Sequence, residues 1–357
     1  GRSIVLTYNI KNFDLFPWSP IYKAIKLQYI TFRLIYKLSL NHRIIPSIYN
    51  RAIKEHNPSI LHSHFGHQGW YDIPLAQKHN LKQIVTFYGL DVTLIPQSQK
   101  WQKRYLDLFE HANLILCEGP HMAQEIIALG CPSSKVKIQR LGVDVNGIPY
   151  KSRKLTPNES FKILIASSFR EKKGIPYALR AIGELKSIFP NLLVTIIGDA
   201  TSGKKTIVEK ERILNTINQY ELQSIITLRG FQPHNVLMEE AYKHHVFLSP
   251  SVTASDGDTE GGAPVSIIEM AASGIPIIST NHCDIPNVIK HNVTGLLSNE
   301  RDIEGLVKNL KWLIENLDKW EGITRKARLH IEKYFDVYKQ SQKLGDIYSQ
   351  VISSKSN

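Results

Sequence analysis

The chain has 357 residues, of which 42% are hydrophobic, and this length favours about two globular domains over a single core. Its formal net charge of +12 favours anionic partners. The three cysteines show no disulfide pattern, and no apolar stretch is long enough to span a membrane, because Arg33 and Lys37 interrupt the longest one. Since no signal-peptide pattern is present either, we expect the protein on the cytoplasmic side.

Residues 15–54 form the most basic part of the chain. They contain no Asp or Glu, and aromatic side chains alternate with the cations. One interpretation is an interfacial amphipathic helix that binds an anionic membrane surface. The other is an ordinary helix of the first domain with a basic outer face. The basic residues in question are Lys23, Lys26, Arg33, Lys37, Arg43, Arg51 and Lys54.

The next segment, from Ile60 to His67, has the pattern of a strand end. Because side chains alternate along a strand, His62 and His64 are expected on the same face. A zinc site would need further Cys or His ligands, and the three cysteines lie far apart in the sequence. We therefore predict that His64 and Gly66 lie at the edge of a cleft and do not bind a metal.

Two further strands, at Leu114 to Cys117 and at Lys135 to Gln139, are predicted to complete the first domain. A polar segment that contains Pro157 follows, as is typical of a linker. We place the domain boundary between Pro149 and Ser160. The predicted divisions are residues 1–150, residues 151–335 and a last helix within residues 336–357.

A strand that begins at Phe161 is followed by the basic turn Arg170-Glu-Lys-Lys173-Gly174 and by a helix. Cations at the carboxyl end of a strand suit a diphosphate group, because a guanidinium or an ammonium makes charge-assisted hydrogen bonds to phosphate oxygens. Taken alone, the same turn is equally typical of a solvated charged loop.

Strands and helices continue to alternate through the second half, with strands at Leu192 to Gly198 and at Ile225 to Arg229. This alternation predicts a doubly wound parallel sheet, in which ligands bind at the carboxyl ends of the strands. The residues expected at that edge are Arg170, Lys173, Gly198, Gly230 and the loop that contains Glu260.

Between Val246 and Thr280 the pattern is a strand, a Gly-rich acidic loop, a helix and a second strand. The two strands are short apolar runs, as buried parallel strands usually are. Pro264 suits the first helical turn, and Gly274 suits the position just after the helix. The helix must therefore be a crossover between neighbouring parallel strands.

The loop and the helix in this segment have the features of a nucleotide site. Gly261, Gly262 and Ala263 let a ligand approach the backbone, and the N–H groups of the first helical turn favour an anion such as phosphate. Glu269 lies a turn and a half further on, where a carboxylate can accept both hydroxyls of a ribose. The alternative is a surface glutamate that merely suits the helix dipole.

Two segments imitate other kinds of site. Gly198 to Lys205 nearly spells a phosphate-binding P-loop, but Lys205 stands where Ser or Thr must reach Mg²⁺. The loop that begins at Asp256 starts like an EF-hand, but Ile267 replaces the bidentate acid at the twelfth position. We therefore expect neither an NTPase nor a calcium site.

From about Leu61 to His330 the chain resembles the retaining glycosyltransferases of family 4. In that family a Glu-x7-Glu motif follows this strand; the second Glu binds the ribose and the first lies near the donor sugar. Here the motif is Glu260-Gly-Gly-Ala-Pro-Val-Ser-Ile-Ile-Glu269, with one residue more between the acids. The resemblance assigns the ribose to Glu269. For Glu260 two placements remain open: either the extra residue loops out at the glycines and Glu260 stays near the sugar, or Glu260 is displaced.

The segment that begins at Phe161 is the second match. In the family, an Arg and a Lys after this strand neutralise the nucleotide diphosphate as the glycosidic bond breaks. Lys173 matches the Lys by position. Ser168 stands where the family has the Arg, so Arg170 is expected to substitute for it.

A third match is Thr86-Phe-Tyr88-Gly89, where many family members have Thr-x-His-Gly with the His close to the reacting sugar. Tyr88 replaces that His. A phenol can hydrogen-bond a sugar hydroxyl but is a poor base near neutral pH. The resemblance places Tyr88 and Asp91, together with His64 and Gly66, beside the acceptor.

The resemblance implies the GT-B fold, in which two Rossmann-like, doubly wound parallel-sheet domains face each other across a cleft. It also implies that the last helix packs back on the first domain. The first domain is expected to be N-terminally incomplete, because no strand followed by a Gly-rich turn precedes Ile60.

In function, the resemblance implies retaining transfer of a hexose-type sugar from a UDP- or GDP-sugar to a saccharide or polyprenyl-linked acceptor in surface polysaccharide synthesis. The resemblance also implies that no metal or other cofactor is needed and that the departing diphosphate itself helps to take the acceptor's proton. The expected catalytic residues are Arg170, Lys173 and Glu260. The expected donor-binding residues are Ser168, Gly198, Gly230, Gly261, Gly262, Ala263, Pro264, Val265 and Glu269.

Two other functions remain open from the sequence. One is an epimerase or a hydrolase of the same fold that uses a nucleotide sugar differently. The other is a non-catalytic protein that binds nucleic acid or another polyanion, which would need one continuous basic stripe with stacking aromatics. Because the strongest signals converge on a small nucleotide, nucleic acid is not an expected partner.

Overall fold

The computed structural model describes residue 50 and residues 53–354. The basic segment of residues 15–54 lies almost wholly outside the described residues, and so does the region in which the first strand and helix units are expected. From residue 60 onward, strands and helices alternate along the chain. Within the described ranges, no helix combines the length and the apolar character that crossing a bilayer requires.

The first domain is built on a four-stranded parallel sheet with the strand order β1-β2-β3-β4. Its third strand reads Leu-Ile-Leu-Cys and is buried at every position, as a strand covered on both faces must be. The strands are β1 (Ile60–His64), β2 (Lys82–Thr86), β3 (Leu114–Cys117) and β4 (Val136–Ile138). The connecting helices are α1 (Gly66–Lys78), α2 (Gly89–Thr93), α3 (Gln99–His111) and α4 (Pro120–Ala128).

The second domain is built on six parallel strands in the order β10-β9-β8-β5-β6-β7. The strands are β5 (Phe161–Ala166), β6 (Leu192–Ile197), β7 (Ile226–Leu228), β8 (Val246–Ser249), β9 (Ile277–Thr280) and β10 (Leu296–Ser298). The helices are α5 (Ile175–Ile188), α6 (Lys204–Gln219), α7 (His234–Lys243), α8 (Val265–Ser273), α9 (Ile285–Val288), α10 (Ile303–Glu315) and α11 (Trp320–Tyr334).

Helices cover both faces of the second sheet, which confirms the predicted doubly wound architecture. Alternate residues of β5 enter different cores: Ile163 and Ile165 belong to one buried cluster and Leu164 to another. On one side β5 pairs with β6, and on the other it pairs with β8. Later strands therefore lie on both sides of β5, and the loops after β5 and β8 diverge at their carboxyl ends, where such sheets form their ligand crevice.

Helix α8 follows the predicted crossover with one shift in position. It begins at Val265, so Pro264 is the N-cap residue and lies just before the first turn. Its last residue is Ser273, and Gly274 follows with a φ of +85°, in the left-handed region that suits a glycine after a helix. Ile267 and Ile268 are buried, and they fix the start of α8 against the sheet.

A final helix, α12 (Val337–Ser353), returns to the first domain. Ile347 and Val351 pack with Ile84, Leu114 and Leu116 of β2 and β3. The other face of that sheet is covered by α1, α3 and α4, through a separate cluster that includes the alternate residues of the same strands. The chain thus covers its first sheet with its last helix, and this helix ties the two domains together.

Replacing Ile347 by Ala tests this packing. Ile347 is 4% exposed whereas Ile352, on the same helix, is 53% exposed. Because a buried Ile→Ala change leaves a cavity, we expect Ile347→Ala to lower the free energy of unfolding by about 2–4 kcal/mol. The control Ile352→Ala is expected to change it by less than about 0.5 kcal/mol. Urea unfolding followed by circular dichroism measures both, and equal effects would contradict the docking of α12.

Candidate active site

The cleft lies where the carboxyl ends of the two sheets meet. Gly89, at the start of α2, lies against the loop after β8, and a β-carbon at this position would come within 2.5 Å of the Glu260 carbonyl oxygen. Nearby, the side-chain amide of Gln97 donates to the carbonyl oxygen of Asp256 at 2.9 Å. Loops that are far apart in sequence are therefore in direct contact, and they bring predicted site residues of both domains together.

An ion pair between Lys173 and Glu260 lies at the centre of this edge. The Nζ of Lys173 is 2.8 Å from each carboxylate oxygen of Glu260, and the hydroxyl of Ser251 donates to Oε1 at 2.8 Å. Burial by itself would raise the pKa of Glu260, but the charge of Lys173, helped by Lys172 and Ser251, lowers this pKa on balance. Glu260 is therefore an ionised carboxylate held in place by a lysine.

The backbone of Glu260 is held as well. Its N–H donates to Nε2 of His282 at 3.1 Å, and Nδ1 of His282 lies 2.6 Å from Oε1 of Glu300. Because Nε2 accepts, Nδ1 carries the proton and donates it to Glu300, which fixes the tautomer. The next residue, Gly261, turns the chain with a φ of +73°. Glu260 therefore lies beside Lys173, and its placement near a donor sugar stays a prediction.

The acidic loop before Glu260 carries carboxylates that are paired with lysines. The Nζ of Lys172 lies 3.0 Å from Oδ1 of Asp258 and also donates to the Thr259 carbonyl oxygen at 2.7 Å. The Nζ of Lys205 lies 2.6 Å from Oδ2 of Asp256. Both carboxylates that imitate an EF-hand therefore hold the loop in shape through ion pairs with α6 and with the turn before α5.

The N-terminus of α8 opens toward the same edge. Its N-cap, Pro264, offers no side-chain hydrogen bond, so the first N–H groups of the helix have no cap. Glu269 is 17% exposed, and its Oε1 lies 2.9 Å from Nε2 of His234. Its second oxygen has no hydrogen-bond partner among the described residues. Uncapped N–H groups and a half-engaged carboxylate thus lie on one helix, in the order that a diphosphate and a ribose would need.

The loops after β5, β6 and β7 lie side by side. The N–H of Gly198 donates to the Gly230 carbonyl oxygen at 2.8 Å. A β-carbon at Gly198 would overlap the Ser167 carbonyl oxygen, whereas one at Gly230 would meet nothing within 4 Å. Ser168 is half-buried, and its carbonyl oxygen accepts from the N–H of Arg170. The Arg170 side chain is exposed and has no hydrogen bond or ion pair within the described ranges.

In the first domain, His64 and Tyr88 form a pair at the cleft. The Nδ1 of His64 and the hydroxyl of Tyr88 are 2.6 Å apart and share a hydrogen bond. The rings of His62 and His64 stack at 4.7 Å, which confirms that they share a face. Both nitrogens of His62 are engaged, one with Tyr348 and one with Thr86. Burial lowers the pKa of His64, and burial followed by nearby carboxylates raises the pKa of Tyr88.

Asp91 is placed differently from the prediction, which had it beside the acceptor. It is fully buried. Its Oδ2 accepts from the N–H of Gly66 at 2.6 Å, and its Oδ1 accepts from the N–H of Tyr88 at 2.8 Å. Burial raises the pKa of Asp91 to about 7, although these N–H groups oppose the shift. Asp91 therefore positions the two loops that carry His64 and Tyr88, and Gly66 is needed because a β-carbon would overlap Phe87.

Glu118, directly after β3, is a site residue that the sequence reasoning missed. A β-carbon at Gly262 would lie 1.9 Å from its Oε2, so the carboxyl group packs directly on the Gly-rich loop. Burial, followed by Asp284, Asp91 and Glu260, raises the pKa of Glu118 to about 8. A protonated carboxyl is thus favoured at neutral pH where a donor diphosphate would bring further negative charge.

Asp284, which follows β9, was missed too. Its oxygens accept from the N–H groups of His121 at 2.9 Å and Met122 at 3.2 Å, in the first turn of α4. A carboxylate of the second domain therefore caps a helix of the first. Both Asp284 and Glu118 come soon after the end of a strand. This position is the sequence signal for them, since loops at the carboxyl ends of parallel strands line the ligand crevice.

Comparison with known proteins finds two family matches along the chain. Residues 149–330 match the family described as glycosyl transferases group 1, and residues 15–146 match the family described as Glycosyltransferase Family 4. AmsK, an amylovoran biosynthesis glycosyltransferase of Erwinia amylovora, is 30% identical over 312 residues, which are 86% of this chain and 74% of that protein. WcaL of Escherichia coli, a putative colanic acid biosynthesis glycosyltransferase, is 29% identical over 297 residues, covering 82% of this chain and 71% of that protein.

Among solved structures, HepE of Anabaena in complex with UDP and glucose has a TM-score of 0.71 at 17% identity, with 85% of this chain and 81% of that chain covered. Two parallel-sheet domains that face each other across a charged cleft define a GT-B glycosyltransferase. This chain belongs to the glycosyl transferases of group 1. The resemblance drawn from its motifs is thereby confirmed, and a non-catalytic polyanion-binding protein is set aside.

Glu118→Gln tests the buried carboxyl group. Its pKa is about 8 in the folded protein against 4.5 without the fold, so its contribution to stability is complete below pH 4.5 and is lost as the pH rises through 8. Gln stays neutral at every pH. We therefore expect the free energy of unfolding of the variant, relative to wild type, to rise by on the order of 2 kcal/mol from about pH 6 to about pH 9. Thermal melts at both pH values measure this. Glu125→Gln, at an exposed position of α4, is the control, and an equal gain there would contradict the assignment.

Proposed function

We propose that this glycosyltransferase moves a hexose-type sugar from a UDP- or GDP-sugar to a saccharide or polyprenyl-linked saccharide, with retention at the anomeric carbon and without a metal ion. The observation that carries the proposal is the convergence of Lys173, Glu260, Glu269 and the N-terminus of α8 at the edge between β5 and β8. Two relatives are named for amylovoran and colanic acid biosynthesis. The proposed pathway is therefore exopolysaccharide synthesis.

The donor would bind along α8. The free oxygen of Glu269 accepts a ribose hydroxyl, and the other oxygen becomes available when His234 moves aside. The uncapped N–H groups beside Gly262 receive the diphosphate, where the helix dipole favours negative charge. The open space at Gly230 leaves room for the base. The HepE structure, which contains UDP and glucose on the same fold, supports a nucleotide of this kind.

Bond cleavage needs groups that stabilise charge. Negative charge grows on the departing diphosphate, and Arg170 has no partner among the described residues, so its guanidinium is available to neutralise that charge. Lys173 has three N–H donors, so it can contact a phosphate and still hold Glu260. Glu260, ionised and fixed, faces the positive charge that develops on the sugar. Preorganised groups of this type are typically worth 10²–10³-fold in rate each.

The acceptor side does not need a protein base in this proposal. The pKa shifts keep His64 and Tyr88 uncharged at neutral pH, so neither is a strong base there. The departing diphosphate takes the acceptor's proton on the same face of the sugar that it leaves, which gives retention. His64 and Tyr88 then orient the acceptor by hydrogen bonding.

We further propose that the enzyme works at the cytoplasmic face of a membrane. The support is the sequence of residues 15–54, which contains many cations and no Asp or Glu. A segment of this composition is attracted to anionic lipid. It would bring the cleft close to a lipid-linked acceptor.

Calorimetric titration with UDP, GDP and ADP, each with EDTA, tests the donor site. We expect UDP or GDP to bind without metal, and Glu269→Ala to weaken that binding roughly 10- to 100-fold, because a charge-assisted hydrogen bond to the ribose is lost. Glu239→Ala, an exposed glutamate of α7, is the matched control and should bind like wild type. Binding that requires Mg²⁺, or that Glu239→Ala loses equally, would contradict the proposal.

Turnover with a UDP- or GDP-sugar and a saccharide acceptor tests the reaction. We expect the product to keep the donor's anomeric configuration by NMR, EDTA to have no effect, and Arg170→Met to lower kcat about 100-fold because leaving-group neutralisation is lost. Lys326→Met, an exposed cation of α11, is the control. An inverted product, or an epimer or a free sugar in place of transfer, would overturn the assignment.

A further inference from the structure

Aromatic side chains form a band that runs from the cleft onto helices α1 and α3, and the proposed chemistry uses only its innermost ring. Its inner end is Tyr88, which also bonds to His64. Successive ring centroids lie 4.7, 5.7, 6.2, 6.0 and 5.2 Å apart. In order from the cleft, the rings of this aromatic band belong to Tyr88, Phe65, His67, Trp101, Trp70 and Tyr71.

Two rings of the aromatic band are open to solvent, one next to its inner end and one at its outer end. Phe65 is 39% exposed and Tyr71 is 54% exposed. Trp70 and Trp101 are half-buried, because one side of each packs against the core of the first domain. Contiguous exposed aromatic surface of this kind usually marks a binding site. The band is continuous with the acceptor side of the cleft, which narrows the choice of ligand to the acceptor.

The backbone of Phe65 gives an independent sign of function. Its φ of +71° and ψ of +135° lie in a region that a bulky side chain rarely adopts. Such a conformation is strained and is typical of ligand sites. The hydrogen bond from the Phe65 N–H to the Thr86 carbonyl oxygen holds it in place. Glycine would fit this backbone without strain, so the turn itself does not require the Phe65 ring. Its exposed ring therefore favours a role in binding.

Arg104 supplies a charge within the band. Its guanidinium carbon is 4.0 Å from the ring centroid of Trp70 and 4.6 Å from that of Trp101. The guanidinium makes no hydrogen bond or ion pair in the part of the chain that the structure describes. The adjacent acid, Asp107, instead accepts from Nε1 of Trp70 at 2.8 Å, which fixes that ring. A guanidinium stacked on aromatic rings with its N–H donors unpaired is suited to a carboxylate.

We infer that the aromatic band binds an anionic saccharide, namely the part of the acceptor chain that lies behind the sugar being extended. Sugar rings present apolar C–H faces, which pack on the electron-rich faces of aromatic rings, and a carboxylate on one sugar pairs with Arg104. Three ring-to-ring steps of about 5–6 Å lead from Tyr88 to an outer cluster of Trp101, Trp70 and Tyr71, which gives room for more than one sugar residue. This inference rests on the proposed function and adds to it the chemical class of the acceptor.

Binding of two defined tetrasaccharides to the full chain tests the inference. One is a glucuronate-containing tetrasaccharide from hyaluronan and the other is neutral cellotetraose, and both are titrated by calorimetry and by tryptophan fluorescence. We expect the acidic probe to bind at least about tenfold more tightly, as one added ion pair allows. Arg104→Gln should remove that preference. Lys103→Gln, an exposed cation next to it on α3, should retain it.

Phe65→Gly keeps the test independent of folding. Since glycine relieves the backbone strain, the variant should be at least as stable as wild type, yet it should bind both probes about tenfold more weakly. Equal affinity of wild type for the two probes, or a preference that survives Arg104→Gln, would overturn the inference. UDP binding is measured in parallel: UDP binding without saccharide binding overturns the band alone, whereas saccharide binding without UDP binding supports the band and counts against the proposed donor.

Discussion

The direction of the parallel strands is the constraint on which this structure depends. In both sheets every paired strand is parallel, so all the loops that follow strands emerge at one edge. The two edges face each other across the cleft, and α12 stabilises this arrangement of the domains by packing on β2 and β3. Gly89 against Glu260, and Asp284 on α4, are direct consequences. Site residues that are far apart in sequence meet because each one follows a strand.

The same convergence brings charge together, and the protein balances it within the cleft. Lys173 neutralises Glu260, and Lys172 neutralises Asp258. Glu118, which has no cation paired with it among the described residues, has its pKa raised to about 8 by burial and by the neighbouring acids. The cleft therefore favours one protonated carboxyl group, and the exposed Arg170 guanidinium has no hydrogen bond or ion pair within the described ranges. A donor diphosphate bound there would have few ion pairs of the described residues to displace.

Donor and acceptor would meet this cleft through different chemistry. The second domain offers backbone N–H groups, cations and carboxylates, which suit phosphate and ribose. The first domain offers aromatic rings, the neutral pair of His64 and Tyr88, and the unpaired Arg104, which suit a saccharide. Asp91 organises the set of the first domain, because its buried carboxyl group fixes the start of α1 and the loop that ends at Tyr88. Precise placement of the acceptor side thus depends on a residue that is itself inaccessible.

The sequence alone determined which elements form, because apolar runs, glycine and proline positions and the alternation of strand and helix are local signals. Its motifs predicted the family, and it placed His64 at the end of the strand β1. Only the tertiary structure decided which side chains touch. Glu260 lies beside Lys173, the buried Asp91 accepts from the N–H of Gly66, and Glu118 reaches Gly262 from the other domain. The two partners in each contact are separated by 25 to more than 140 positions of chain. Local pattern carries no information about such contacts, because they depend on how the two sheets are packed against each other.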